Sequence, residues 1–583
     1  MSLGVHSFGR AGLPRWLIEK VWGLEHAFER ARASGKVEDD TRLRIFFLLF
    51  LFALGFFGLA IGATRSALFS DAARGGGLVA PVVGARGDLV DRNGKLLAAD
   101  LLHYGLYIDP REIWDPAETR RGLLAALPEV EPDRLERALR GNRRVFVVGA
   151  LTPEARNRVN DLGLPGVSFE PEQHRVYPLG STAAHLIGFT DSGGEGLAGA
   201  EGAFNSDIHT AAGAAAAPLS IDLRIQGALE DELYKAVAEF QPKGAVGIVT
   251  DVHTGEILGL TSWPTFDPNK AGKATDYARL NRAAASVFEM GSTFKGFTVA
   301  IGLDTGVATP ESTFDATHPF YVGNRAITDY HATHAMLTLV EVFQHSSNIG
   351  TARLGEQIGP ERMHAYFDRL GLTSPAKVEL KESARPLTPR VWNEDAIAST
   401  SFGHGINVSP LAVVRAYGAL MNGGYLLPLT IHKLEPGAQV TGPRVVSEKT
   451  SLQMLSIMRA NVTGGSGKSA NIPGLSVGGK TGTGDKWDPA ARSYSHTKQV
   501  SSFAAVFPTT GGPQTRRYFV LVLLDEPHPG KLGVDPTGGI AAAPAAGRVI
   551  ERIAPFLGVK RQTTLVQAIP VEQPSTEDQG EER

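Results

Sequence analysis

Three short patterns of polar residues could do chemistry together. Ser292-Thr293-Phe294-Lys295 sets a hydroxyl and an amine three positions apart, Ser346-Ser347-Asn348 offers two hydroxyls and an amide, and Lys480-Thr481-Gly482-Thr483 sets a cation among small donors. On a helix, Ser292 and Lys295 share a face. A helix start also favours developing negative charge through its dipole and free backbone N–H groups. A serine becomes a nucleophile only with a base beside it, and a lysine serves as base only when neutral. Burial lowers a lysine pKa, and a second cation nearby lowers it further. Lys480 can be that cation, Ser346 can pass a proton, and Asn348 can hydrogen-bond a substrate amide. Thr481, Gly482 and Thr483 lie in the Gly-rich strand SVGGKTGTG, whose edge could take a peptide substrate as an added strand.

Each pattern alone is weak. Ser374 to Lys377 and Ser495 to Lys498 repeat the first spacing, and Ser469-Ala470-Asn471 repeats the second; Lys480-Thr481-Gly482 occurs once. By itself Ser292 would read as a helix cap. Its setting separates it: Gly291 precedes it and the helix-like run STFKGFTVAIGL follows, whereas Ser374 precedes a proline, which disfavours a helix there. Other patterns carry less. Gly464 to Ser469 resembles a phosphate loop, but Val462 stands where that pattern needs glycine, and no strand leads in. His331 and His334 lack an acidic helix partner for a metal and read as ordinary histidines. Glu289 reads as a packing or pairing residue. No metal or cofactor is expected.

The elements that must hold these residues follow from periodicity. Gln226 to Phe240 has a helical period, and Gly244 to Asp251 and Glu256 to Ser262 read as strands joined by a turn at His253-Thr254-Gly255. Ser502 to Phe507 and Tyr518 to Leu524 read as strands, and Ala541 to Leu557 as a helix. Strands at both ends with helices between predict an α+β fold, an antiparallel sheet covered by helices. Upstream, RVFVVGAL (144–151) and AHLIGFT (184–190) look β-like around a helical stretch from Pro132 to Arg140. The alanine-rich patch Ala211 to Ala217 marks a boundary.

The chain has 583 residues, enough for two or more folded units, and its hydrophobic fraction of 43% allows large cores. A net charge of -3 gives no field for nucleic acid, and the absence of cysteine excludes disulfides and thiolate catalysis. Ile45 to Ala63 is an uncharged apolar run long enough to span a bilayer. Arg30, Arg32, Lys36, Arg42 and Arg44 precede it and only Arg65 and Arg74 follow closely, which predicts a cytoplasmic N-terminus and an external bulk. The expected plan is a cytoplasmic leader (1–44), a transmembrane helix (45–63), a first external domain (64–218), a second (219–558) and a disordered tail (559–583), with Gly75-Gly76-Gly77 as a flexible joint.

The ordered motifs, with their surroundings, resemble the transpeptidase domain of class B high-molecular-weight penicillin-binding proteins. The resemblance extends through Arg86-Gly87-Asp88, Asp91 to Gly94, Arg175 to Pro178, Ala184 to Phe189, Gly196 to Glu201 and Thr254 to Leu258. It covers roughly Val82 to Val559. Phe288 to Lys295 is similar to the division-specific branch, the FtsI type, although Met290 stands where proline is usual. The resemblance implies an elongated, mostly-β pedestal (dimerisation-type) domain before a penicillin-binding/β-lactamase-like catalytic domain. It implies a serine D,D-transpeptidase that cross-links peptidoglycan stem peptides at the septum. Ser292 would attack the penultimate D-Ala carbonyl of a D-Ala-D-Ala stem with Lys295 as base, and the N–H groups of Ser292 and Thr483 would form an oxyanion hole. β-Lactams would be inhibitors, the location the bacterial inner membrane with a periplasmic catalytic domain, and the partner a polytopic glycosyltransferase of the FtsW type among other division proteins. The alternatives are an elongation-type transpeptidase, a β-lactam-hydrolysing or sensing enzyme, or a non-catalytic division scaffold.

Overall fold

The computed structural model describes residues 48–60, 86–210, 216–488, 493–531 and 533–562, with His26, Arg30, Ala33 and Ile45 as isolated positions. The chain divides into two units, Met1–Val82 and Val83–Arg583. In the first, residues 48–60 are helical, and Leu48, Phe52, Phe56 and Leu59 are all more than half exposed. Among the described residues no helix is long and apolar enough to cross a membrane. The span expected at Ile45 to Ala63 runs beyond that helical stretch and lies partly outside the described residues, as do most of the leader, the Gly75 to Gly77 joint, most of the Ala211 to Ala217 boundary and most of the tail.

The second unit begins with a sheet built on one long strand. In order come β1 (Leu89–Val90), β2 (Leu96–Ile108), β3 (Val145–Leu151), β4 (Val167–Val176) and β5 (Ala217–Pro218). β2 pairs antiparallel with β1 at Leu96 to Ala98, with β4 along Ala99 to Ile108, and with β3 along Tyr104 to Ile108. Helices Pro116–Ala126, Pro132–Leu139 and Pro153–Asn160 all open on proline, whose missing N–H costs nothing there, and Asp115 and Thr152 cap the first and third. They bury Leu123, Leu135 and Val159 with Leu106, Ile108 and Val147 of the sheet. The base of this region is pinned by charge. Glu201, fully buried, accepts from Arg86 at 2.6 Å and from Arg175 at 2.7 Å, and Arg175 also meets Asp100 at 3.2 Å.

One expected strand is absent. Residues 184–190 form a helical turn, Ala184–Ile187, ended by Gly188 at φ +79°. Ala184, Leu186 and Ile187 are all buried, so the apolar run fills a core rather than alternating across a sheet, and a Cβ on Gly188 would fall 1.8 Å from the Ala198 carbonyl oxygen. Short buried apolar runs of this kind do not separate helix from strand by period alone.

Downstream, five strands make one antiparallel sheet: β6 (Gly244–Asp251), β7 (Ile257–Trp263), β12 (Gly478–Asp488), β13 (Ser493–Phe507) and β14 (Tyr518–Asp525), in the order β12-β13-β14-β6-β7. Two small two-stranded sheets lie apart from it: β8 (Thr313–Asp315) with β11 (Met336–Thr338), and the hairpin of β9 (Phe320–Val322) with β10 (Arg325–Ile327). Helices cover both faces of the large sheet. On β14, Phe519, Leu521 and Leu523 join the core that includes helices Lys295–Asp304, Pro410–Met421 and Glu448–Gly464, while Val520, Val522 and Leu524 join the core under Leu223–Phe240 and Ala543–Ile553. This two-residue alternation between two buried faces is why YFVLVLL reads as an unbroken apolar run. The expected strands at Gly244 to Asp251 and Tyr518 to Leu524 are present to within a residue, and the run from Ser502 is the second half of the longer β13. β12, at one end of the order, has one edge without a strand partner among the described residues.

Candidate active site

Gly291–Phe294 forms a 3-10 turn that continues directly into helix Lys295–Asp304. Three residues per turn place Ser292 and Lys295 on one side. The turn is wedged between backbones. Gly291 has φ +51°, and a Cβ there would fall 2.4 Å from the carbonyl oxygen of Thr483. Gly403, at φ +87°, meets the carbonyl oxygen of Gly291 in the same way, at 2.1 Å. From below, the Tyr417 hydroxyl donates to the Thr293 carbonyl at 2.5 Å, where Gly296 leaves it room. Ser292 is thus held at the seam between a helix, the loop at Gly403 and strand β12.

Two glycines of β12, Gly482 and Gly484, face this turn. A Cβ on Gly482 would lie 2.2 Å from Thr293 Oγ1 and 2.5 Å from the Met290 carbonyl, and one on Gly484 would lie 2.6 Å from that of Glu289. The close backbone approach expected of a Gly-rich strand is therefore made by the chain's own nucleophile loop. The unpaired edge of β12 is what remains for a peptide. On the opposite face Gly538 N–H donates to Thr483 Oγ1 at 3.1 Å.

Lys295 and Lys480 are both fully buried. Lys295 Nζ donates to the Ser346 carbonyl, to Asn348 Oδ1 at 2.7 Å and to Ser346 Oγ at 3.1 Å. Lys480 Nζ lies 2.9 Å from the same Ser346 Oγ and 3.0 Å from the Thr481 carbonyl. Among the described residues neither lysine has a carboxylate in ion-pair contact. Burial takes Lys295 down to about 7, with Asp329 pulling the other way. Lys480 is pushed well below its ordinary range, by burial first and then by repulsion from Lys295. Burial, the first cause expected for Lys295, is the larger cause for both lysines, and repulsion between the two cations adds to it. Both amines reach the same Ser346 Oγ, so they lie at most about 6 Å apart, where two ammoniums repel by ~3 kcal/mol or more at an effective dielectric of 20, and the site does not hold both charges easily.

A neutral Lys295 has two hydrogens. The Ser346 carbonyl and Asn348 Oδ1, which can only accept, claim them, and the lone pair is left to take a proton. Ser346 Oγ then links Lys480 to Lys295 as a hydroxyl able to donate and accept. Ser346 sits at φ +57°, in the left-handed region, directly before the cap of helix Asn348–Ile358. Such strain in a non-glycine residue costs about 1–3 kcal/mol and persists only where surroundings enforce it. Here Ser347 caps the helix by accepting from Gly350 N–H, and Asp329 holds both Ser347 Oγ (2.7 Å) and Ile349 N–H (3.0 Å).

All eight residues singled out by sequence fall in this region: Ser292, Lys295, Ser346, Asn348, Lys480, Thr481, Gly482 and Thr483. The repeat spacings do not compete, since Ser374 lies in a loop and Ser495 within β13. Glu289 is a pairing residue as expected, accepting from Gly405 N–H and from Tyr494 Oη at 2.8 Å, and burial raises its pKa. Three participants were missed. His404 stacks on Tyr494 and is taken down to about 4, chiefly by burial and then by Lys295 and Arg325. Ser466, inside the apparent phosphate loop, bonds Thr481 Oγ1 at 2.7 Å. Asp329 supports the Ser346 turn. The glycines flanking His404 were the one available signal for that segment. His331 and His334 lie exposed on a loop, and His334 Nδ1 is 3.1 Å from the Thr317 carbonyl oxygen.

Residues 245–551 match the family described as the penicillin binding protein transpeptidase domain, and residues 81–203 match the penicillin-binding protein dimerisation domain. The chain is 64% identical to a probable peptidoglycan D,D-transpeptidase FtsI of Caulobacter vibrioides, over 97% of this chain and 96% of that one. It is 30% identical to peptidoglycan D,D-transpeptidase FtsI of Escherichia coli K12, over 80% and 82%. Among solved structures, penicillin binding protein 3 of Mycobacterium tuberculosis, complexed with aztreonam, has the same fold, with a TM-score of 0.62 at 23% identity over 82% of this chain and 98% of that one.

Proposed function

The chain belongs to the penicillin-binding proteins that join a dimerisation domain to a transpeptidase domain, and from that premise we propose that it is a serine D,D-transpeptidase of septal peptidoglycan synthesis. The observation that carries the reading is the buried chain from Lys480 through Ser346 to Lys295, with Ser292 one turn before Lys295 and its neighbours Gly291 and Thr293 pressed on strand β12. In this reading a donor stem peptide lies along β12. Lys295 takes the Ser292 hydroxyl proton as Oγ attacks the penultimate D-Ala carbonyl. The C–N bond breaks, the proton returns to the departing amine, and terminal D-Ala leaves. An amine of a second stem then attacks the ester, giving its proton back through Lys295, and restores Ser292. Asn348 bonds the donor amide, Thr481 and Thr483 bind its carboxylate with Lys480, Gly482 lets the nucleophile turn approach, and the N–H groups of Ser292 and Thr483 hold the oxyanion. β-Lactams acylate the same serine.

We assign residues 64–218 to the pedestal and 219–558 to the transpeptidase. An N-terminal anchor in the bacterial inner membrane fits the cation asymmetry about 45–63 and the exposed apolar helix at 48–60. With the catalytic domain periplasmic, an FtsW-type glycosyltransferase is the proposed partner. The test is the full-length protein in detergent with a D-Ala-D-Ala stem peptide and a second stem as acceptor. Release of D-Ala with a new inter-peptide amide supports the reading, and no product from either peptide overturns it. Depletion in cells should give filaments with unfinished septa; round, swollen cells would place the enzyme in elongation instead.

A further inference from the structure

Three consecutive residues tie the two halves of the site together. The Thr328 carbonyl accepts from Asn348 Nδ2 at 3.0 Å. Asp329 accepts from Ser347 Oγ and from Ile349 N–H with separate oxygens. Tyr330 Oη donates to Asp535 Oδ2 at 3.1 Å, and Asp535 sits three residues before Gly538, which bonds Thr483. The segment 328–330 thus grips the turn carrying Ser346 on one side and, through Asp535, the loop over β12 on the other.

We propose that Asp329 is a positioning residue for the acylation step: its carboxylate holds the Ser346 turn against Lys295 and supplies the negative charge that governs how tightly Lys295 keeps its proton. The proposal rests on the reading of Ser292 as nucleophile and Lys295 as base. The Ser346 turn needs such an anchor, because its left-handed backbone is unfavourable for serine and the helix behind it begins only at Asn348. A carboxylate at the first N–H groups of that helix is also well placed against its dipole. The groups bearing on Lys295 are Ser346 and Asn348 from that turn, Lys480 from β12, His404 from the loop at 401–405, and Asp329. Lys480 is a cation or neutral and His404 is held neutral by burial, so Asp329 is the one anion acting on Lys295 among the described residues.

The experiment is the pH dependence of Ser292 acylation by a penicillin, in the full-length protein, for wild type, Asp329→Asn, Asp329→Glu and Ser347→Ala. Asp329→Asn keeps the shape and an acceptor but removes the charge, so the acid limb of its profile should move to lower pH. Asp329→Glu should return the limb toward wild type. Ser347→Ala removes one of the carboxylate's bonds and leaves the charge, so its limb should stay in place even if the plateau falls. A purely structural role would lower the plateau of Asp329→Asn without moving the limb, and that result overturns the proposal. Should Asp329→Asn not fold, Asp329→Ser, equally uncharged, carries the same expectation. If wild type is not labelled at Ser292 at all, the catalytic reading fails first; if it is labelled with an acid limb that Asp329→Asn leaves unmoved, only this inference fails.

Discussion

Gly403→Ala should disable the enzyme from beneath its nucleophile. Two separate costs can be worked out. The residue sits at φ +87°, where a side chain is strained by about 1–2 kcal/mol. The new Cβ would also lie 2.1 Å from the Gly291 carbonyl oxygen and 2.8 Å from its carbon, both backbone atoms that cannot swing aside. Overpacking of this sort costs a further ~1–3 kcal/mol, so a total loss of roughly 2–5 kcal/mol is expected. Gly291 is itself pressed on Thr483, so relief of the clash must shift the residue before Ser292. Gly405→Ala is the control. It has φ +74° and open space around its Cβ, so it bears the backbone strain alone, about 1–2 kcal/mol. Thermal unfolding and penicillin acylation of both variants, measured in parallel, separate the two terms. Gly403→Ala should melt lower than Gly405→Ala and acylate more slowly per folded molecule. Equal melting points and equal acylation rates would refute the steric argument.

Two other outcomes follow from buried charge. Lys295 is taken down to about 7 by burial and accepts a proton only when neutral, that is, above that value; acylation of wild type should therefore climb through about pH 7 and level off on the alkaline side, as stopped-flow labelling across pH would record. In the pedestal, Glu201→Ala takes the ion-pair partner from buried Arg86 and one of two from buried Arg175 and should destabilise by about 3–5 kcal/mol, seen as a lowered melting temperature, while the acylation rate of the folded fraction stays at the wild-type value.

What was legible in the sequence was whatever repeated with a short period or stood in a rare order. The central strands announced themselves because β6 and β14 are buried on both faces and carry unbroken apolar runs. Ser292, Ser346 and Lys480 were found by their order along the chain, and Gly291 marked the start of the nucleophile turn. Residues 184–190 were misread because a short buried run satisfies a helical turn as well as a strand. Asp329, His404 and Ser466 were missed for another reason. Each reaches the site from its own loop, and a loop has no period to betray which neighbour it will meet. The phosphate-like loop at Gly464 to Ser469 illustrates the point: its glycines serve a tight turn, where a Cβ on Gly465 would fall 2.3 Å from Asn461 Oδ1, and that turn delivers Ser466 to Thr481. The role of the glycines in β12 was also only half readable. Glycines in a strand allow a close backbone approach, but they do not say that the approaching backbone would be residues 289–290.

The central claim is that Ser292, activated by Lys295, is the acylated nucleophile. Mass spectrometry of the penicillin-treated full-length protein tests it most directly, with wild type, Ser292→Ala and Lys295→Ala digested side by side. The adduct should sit on the peptide containing Ser292 in wild type and be absent from both variants, and Ser292→Ala should retain the wild-type melting behaviour or lose little of it. An adduct on any other serine, or labelling of Ser292→Ala at the wild-type rate, would contradict the account.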